Sequence, residues 1–295
     1  VACALAFGLK FPYITLPVGF GLIFHGILAS AMGRNGINVA KEGVFHFTWI
    51  IGIGMVIGLL TALFISYNRP RHFENKPIIG GTNEEIEDRF TKTHLLTTLA
   101  VFVAFGAQLW AGSLPLGALA ALVVMILTGA LKWKDIDDSF LRALEIMGLI
   151  AFVMLIAAGY GNVLRETKAV DQLGSSVVGI VGGSPFWGAF LMLMVGLLVT
   201  MGIGTSFGTI PVIDAIYCPL SLQLGFSTGA TVCLIAAAAA LGDAGSPASD
   251  TTLGPTAGLN ADGQHNHIWD TCVPTFLHYN VPIFIAAMVG ALILY

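Results

Sequence analysis

Apolar positions fill most of this chain in long runs, and polar positions interrupt the runs at only a few places. Residues 11–32, 44–67, 95–112, 114–131, 186–204 and 281–295 are predominantly apolar. Each approaches the roughly 20 residues with which a helix crosses the hydrocarbon core of a bilayer. The pattern predicts a polytopic bundle of membrane helices, several of them carrying the Gly and Pro that such helices tolerate. A further apolar run, 230–241, leads straight into Gly-Asp-Ala-Gly-Ser-Pro-Ala-Ser-Asp-Thr-Thr at 242–252. There two carboxylates (Asp243, Asp250) and four hydroxyls (Ser246, Ser249, Thr251, Thr252) crowd between glycines and a proline. Gly and Pro interrupt a helix and leave carbonyls without partners. Carboxylate, hydroxyl and carbonyl oxygens are ligands for small hard cations. A polar, helix-broken segment in a membrane protein marks an ion or substrate site.

A second break follows the run 186–204. It reads Gly204-Thr-Ser-Phe-Gly-Thr209, with Pro211 just beyond. A kinked helix with its freed backbone groups satisfied by Ser and Thr accounts for one such break. Two hydroxyl-rich breaks within 50 residues point to one shared site. The expected ligand set is Thr205, Ser206, Gly208 and Thr209 from the first break. Asp243, Ser246, Ser249, Asp250, Thr251 and Thr252 come from the second. Asp250, inside the hydroxyl cluster, ranks ahead of Asp243 as the coupling acid. Asp214, in an apolar run after Pro211, is a further proton-linked candidate.

Composition strengthens the membrane reading. Hydrophobic residues make up 56% of the chain and charged residues 10%, against about 25% charged in soluble domains. Mean hydropathy is +0.85. The net charge of −4 gives no support for a nucleic-acid partner. Cys3, Cys218, Cys233 and Cys272 show no metal-type spacing and read as buried thiols. All thirteen Lys and Arg lie at or before Lys168, yet six aspartates follow it, ending with Asp262 and Asp270. An acidic interior without basic partners suits a cation or a proton. The hydrophilic stretch 69–93 carries Arg69, Arg71, Lys76, Arg89 and Lys92, and the positive-inside rule makes it a cytoplasmic connector. It separates residues 1–68, the end of a first transmembrane repeat and a following helix, from residues 94–295, a second repeat holding the site. Basic clusters on both flanks of 140–163 predict a re-entrant hairpin with its bend near Gly161 and Asn162. The chain opens at Val1 without Met, inside an apolar segment and without a signal peptide, so it is expected to be part of a longer protein.

The breaks also carry a family likeness. Gly204-Thr-Ser-Phe-Gly-Thr209 resembles the Gly-Thr-Ser-aromatic-Gly-Thr signature of NhaC-type sodium/proton antiporters. Ser246-Pro-Ala-Ser-Asp-Thr-Thr252 resembles their Ser-Pro-Ile-Ser-Asp-Thr-Thr element, and residues 158–169 resemble their Gly-rich hairpin end. The stretch from Ala261 to Pro274 looks more like a sister branch of amino-acid (histidine-type) permeases. The resemblance implies the fold of the wider ion-transporter superfamily: all-α, with inverted repeats, re-entrant hairpins and broken helices. It implies a cation-coupled secondary transporter of the inner cell membrane. The activity is Na⁺/H⁺ antiport, or alternatively Na⁺- or H⁺-coupled amino-acid transport. No cofactor is implied, only Na⁺ or H⁺ as coupling ion. The lipid bilayer, a small cation and an amino acid are the partners, with a homodimer as the assembly to consider.

Two other classes fit less well. Ala240-Leu-Gly-Asp243 resembles the Gly-x-Gly-Asp element of intramembrane aspartyl proteases, with Asp214 as the second acid of a proton-sharing dyad. The match fails at Ala240, and proteolysis leaves the hydroxyls unexplained. A passive channel needs rings of like residues around a pore, which asymmetric single-chain motifs do not supply. His265 and His267 with Asp270 are candidate metal ligands, but the His-x-His spacing lacks a convincing third and fourth ligand and reads as a polar turn.

Overall fold

The computed structural model describes residues 1–68, 76, 91–137, 140, 141, 152, 155, 156, 159, 163, 166, 167, 176–260 and 262–295. Among these there are helices and turns and no strand. The predicted hairpin bend at Gly161 and Asn162, and most of the 69–93 connector, lie outside the described residues. Two compact units form: residues 1–80 with 153–295, and residues 81–152.

The smaller unit is an antiparallel pair, α4 (Lys92–Ala111) and α5 (Leu114–Leu127). Thr91 caps α4, its hydroxyl accepting from His94 N at 3.4 Å. The turn between the helices uses Gly112 at φ +61°, where a side chain is strained. Gly117 lets the helices close up, because a Cβ there would lie 2.6 Å from the Ala104 carbonyl oxygen.

The larger unit is built around a buried helix. Its elements are α1 (Ala2–Thr15), α2 (Phe20–Arg34), α3 (Lys41–Thr61, continued by a wider π turn over Ala62–Ser66), α6 (Pro185–Ile203), α7 (Ser206–Gln223), α8 (Thr228–Ala240), α9 (Asp250–Leu259) and α10 (His267–Ile293). Every residue of α8 from Gly229 to Ala240 is buried. A run of five alanines, 236–240, makes α8 thin enough for α3, α6, α7 and α10 to pack on it together. Lipid gives no hydrophobic drive between helices, so small residues at the crossings supply close contact. A Cβ on Gly196 of α6 would meet Ala238 Cβ at 2.4 Å. One on Gly54 of α3 would meet the Pro282 carbonyl oxygen at 2.9 Å. The outer faces carry exposed Phe64, Ile65, Leu198 and Ile293, the apolar surface a bilayer covers.

Among the described residues four helices are long and apolar enough to span a membrane: Gly43–Ser66, Lys92–Ala111, Pro185–Ile203 and His267–Ile293. Three of the expected spans differ. The run 114–131 yields only α5, which at 14 residues is shorter than a span. The run 11–32 is not one helix: α1 and α2 form a pair bent by 50°, parted at residues 16–19, where Pro17 lacks an N–H and Gly19 adopts φ +56°. The last span starts well before residue 281, because Asn266 caps its first turn, accepting from Ile268 N and Trp269 N at 3.0 Å each.

Candidate functional site

The chain breaks where expected, and each break has a local cause. α6 ends at Ile203 because Gly204 turns left-handed, φ +74°, and Thr205 is extended before α7 starts. α8 ends at Ala240, and Gly242 (φ +75°) and Gly245 (φ +109°) carry the chain round to Ser249, which caps α9 through Thr251 N at 3.1 Å. These glycines also let the breaks touch. A Cβ on Gly204 would lie 2.9 Å from the Ala248 carbonyl oxygen, and one on Gly242 only 2.5 Å from that of Leu197. Gly242→Ala therefore combines a strained φ with a backbone clash and should cost more than about 1–3 kcal/mol. Gly258→Ala on α9, with open space around it, should be neutral or slightly stabilising. Thermal unfolding of the two variants in detergent checks this; equal midpoints would contradict the close approach.

Breaking a helix exposes carbonyls, and here side chains take them up. Thr200 Oγ1 donates to Ala238 O at 2.8 Å, and Ser246 Oγ to Met201 O at 2.9 Å. The third donor is unexpected. Lys10, on α1 and 1% exposed, donates to Ala240 O at 2.5 Å. Its Nζ also lies 3.2 Å from Asp243 Oδ2. The ammonium thus sits at the C-terminal, negative end of α8, against a carboxylate.

Asp243, 3% exposed, is the centre of the cluster. Its Oδ2 accepts from Ser206 Oγ at 2.6 Å, from Tyr13 OH at 2.9 Å and from Lys10. Its Oδ1 accepts from Ser249 Oγ and, at 3.4 Å, from Thr251 Oγ1. Ser206 opens α7 and Ser249 caps α9, so the anion lies at the positive ends of two half-helices. Thr252 Oγ1 bonds Ser246 O at 2.5 Å and Ser249 O at 2.9 Å, bracing the loop. Asn280 of α10 accepts from Gly242 N at 3.2 Å, while its Nδ2 is buried without a partner.

The structure thus brings together Ser206, Asp243, Ser246, Ser249, Thr251 and Thr252 from the expected set. Gly208 and Thr209 are buried in the first turns of α7, where Thr209 Oγ1 bonds Thr205 O at 2.8 Å. Thr205 is the extended residue that precedes α7. Burial separates the two acids: Asp250 is exposed in the first turn of α9, and Asp243 is buried. Asp214 stands apart, accepting from Asn35 Nδ2 at 2.9 Å with Arg34 at 3.6 Å. The acids of the last 127 residues are not without bases, as composition suggested; Lys10 and Arg34 reach two of them from the first two helices. Each of Asp214 and Asp243 has its own cation, and that is not the arrangement of a proton-sharing dyad. Among the described residues no group of His, Cys, Asp and Glu is arranged to hold a metal. Sequence reasoning missed Lys10, Tyr13 and Asn280. Lys10 had a signal, a lone lysine within an apolar helix, which is costly and functional by default.

The model of the Na⁺/H⁺ antiporter family matches residues 4–291, nearly the whole chain. The chain belongs to that family. It is similar to the "Uncharacterized membrane protein VP2115" of Vibrio parahaemolyticus, 48% identical over 297 residues. It is likewise 48% identical over 300 residues to the "Putative amino acid transporter YuiF" of Bacillus subtilis. An uncharacterized membrane protein of Haemophilus influenzae is 45% identical over 305 residues. Each alignment covers 100% of this chain and 67% of the relative. No solved structure matches. The chain is therefore an all-α, multi-pass membrane transporter of an antiporter family whose coupling ions are Na⁺ and H⁺.

Proposed function

We propose that the crossing of the two breaks is the coupling-ion site of a Na⁺/H⁺ exchanger, with Asp243 as its acid. One observation carries this: a buried carboxylate ringed by Ser206, Tyr13, Ser249 and Thr251 at the point where α6, α7, α8 and α9 are interrupted or begin. Broken helices whose unwound carbonyls face one acid are the usual construction of a Na⁺ site in secondary transporters. Ala240 O, Asp243 and the surrounding hydroxyls are hard oxygen donors of the kind Na⁺ takes. Asp250 then serves the first turn of α9, and Asp214 ties α7 to the end of α2. The bent pair α1 and α2 answers the broken pair α6 and α7 in the manner of a repeat, which supports an inverted-repeat architecture.

A second reading concerns the cargo. The relative named as an amino acid transporter supports Na⁺-coupled uptake of an amino acid through the same ion site. Full-length protein in proteoliposomes separates the two. Under antiport, an imposed Na⁺ gradient alone moves protons, followed by an internal pH dye. Under symport, the gradient drives uptake of a labelled amino acid, and protons stay where they are without it. Failure of Na⁺ to drive either flux would overturn the ion-site reading.

A further inference from the structure

The stretch from Asp262 to Pro274 supplies nothing to the Asp243 cluster. It does wall a cavity in the larger unit. The cavity, of about 670 Å³, opens where four helices have their ends: the start of α1, the π turn that closes α3, the end of α9 and the first turns of α10. Pockets of about 300–1,000 Å³ hold small molecules.

The lining has a definite chemistry. Leu63, Leu259 and Pro274 supply apolar surface, and Asp262, Gln264 and Asp270 supply polar groups. Tyr67 and Trp269 add two aromatic rings, 47% and 71% exposed. Both carboxylates are held in place. Asp262 accepts from Gln264 N at 3.1 Å and from Gln264 Nε2 at 2.6 Å, and Asp270 accepts from Asn266 N at 2.9 Å. A carboxylate has about four acceptor positions, and Gln264 takes two of those on Asp262. No Lys or Arg stands among the described residues that line the cavity. Lys76, whose charge reaches Asp262, is exposed and outside that lining. Two carboxylates beside two aromatic rings are complementary to an ammonium group. Carboxylate oxygens accept its N–H donors, and ring faces attract its charge. A ligand of net negative charge would meet repulsion from both acids.

The cavity wall is also tied to the loop that carries Asp243. His265, which lines the cavity, has Nε2 2.6 Å from Thr271 Oγ1. Thr256 Oγ1 donates to Thr271 Oγ1 at 3.0 Å and lies 2.7 Å from His267 Nδ1. His267 Nε2 donates to Pro247 O at 2.9 Å, inside the break at 242–252. Four hydrogen bonds therefore run without a gap from the cavity wall to the ion loop. Coupling between two sites travels through physical contacts of this kind.

We propose that this cavity is the cargo site, and that it takes an amino acid with a neutral or basic side chain. Asp262 and Asp270, with the rings of Tyr67 and Trp269, hold the ammonium group, and Leu63 and Leu259 face the carbon chain. This rests on the reading of the cargo as an amino acid, and gives that cargo a place and a charge class. The cargo site is then separate from the Asp243 cluster.

The test screens full-length protein in detergent with each of the twenty amino acids as probe, by thermal stabilisation and then by equilibrium binding of the labelled compound. Neutral or basic amino acids should bind, and aspartate and glutamate should not. The bound amino acid should shield Leu63→Cys, a cavity position 42% exposed in the native chain, from a maleimide. The four native cysteines are buried and should react little. Asp262→Asn with Asp270→Asn in one chain should weaken binding about tenfold to 100-fold. Trp269→Ala should weaken it about twofold to fivefold. Near-native unfolding midpoints would show that these variants fold, and the shielding of Leu63→Cys depends on neither. An amino acid that binds without shielding Leu63→Cys, or that binds the folded double variant as it binds the native protein, would place the cargo elsewhere. That result would overturn the proposal and leave amino-acid transport standing. Aspartate or glutamate as the tightest ligand would overturn it too. If no amino acid binds the native protein, the cargo reading itself fails, and this site with it.

Discussion

Asp243→Asn is expected to abolish Na⁺-driven transport, and Asp250→Asn to leave it nearly intact. The first substitution keeps the side chain's shape but removes the one charge toward which Ser206, Tyr13, Ser249, Thr251 and Lys10 converge. Truncating one partner of a buried, hydrogen-bonded charge pair costs about 2–5 kcal/mol, so Na⁺ affinity should fall by about 30-fold or more. Asp250 is exposed and sits in the first turn of α9. There it interacts favourably with the helix dipole, a contribution of about 0.3–1 kcal/mol. Its loss should lower the unfolding midpoint slightly and leave the Na⁺ response in place. Flux into proteoliposomes at graded Na⁺ concentrations reads both variants. Normal Na⁺ dependence in Asp243→Asn, with loss in Asp250→Asn, would restore the order that the motif alone suggested.

The second large effect falls on stability. Lys10→Met leaves Asp243 buried without its cation, and breaking a buried pair in this way costs about 3–5 kcal/mol. Lys10→Met with Asp243→Asn in the same chain should recover most of that loss, because no charge is then left uncompensated. The two substitutions are therefore far from additive. Na⁺ should also stabilise the single Lys10→Met variant, since it supplies the missing charge, by about 2.7 kcal/mol at 100 times its dissociation constant. The double variant should not respond. Thermal unfolding of the four proteins in detergent, with and without Na⁺, completes the cycle. Additive losses, or equal responses to Na⁺, would show that Lys10 and Asp243 are not an energetic pair.

How much of this site was legible in the chain depends on how locally each part is determined. The breaks at 204–209 and 242–252 were legible because glycine and proline act on the backbone within a residue or two, and α6, α7, α8 and α9 end or start there. The hydroxyl cluster was legible for the same reason, being two short stretches. The order of Asp243 and Asp250 was not. Seven residues apart, both stand among the same hydroxyls. Which one is buried depends on the direction the loop takes at Gly242 and Gly245, and those turns are set by contact with Leu197, Met201 and Phe276. The bend between α1 and α2 was equally hidden, because Pro17 and Gly19 lie in an apolar run that reads as one span.

By itself, the amino-acid order determined the class of molecule. Long apolar runs with few charges must be helices in lipid, where a backbone satisfies its polar groups internally or not at all. It also placed the breaks at 204–209 and 242–252, where glycines cluster with hydroxyls, whereas Pro12, Pro211, Pro219 and Pro255 lie inside helices that continue through them. Only the tertiary structure decided which charges meet. Lys10 and Asp243 are 233 positions apart, and no local pattern relates them. They meet because α1 packs against α9 and α3, and because α8, ending at Ala240, presents a free carbonyl where the lysine arrives. A buried charge needs a partner of opposite sign within a few ångströms, and proximity of that kind belongs to the packing of helices.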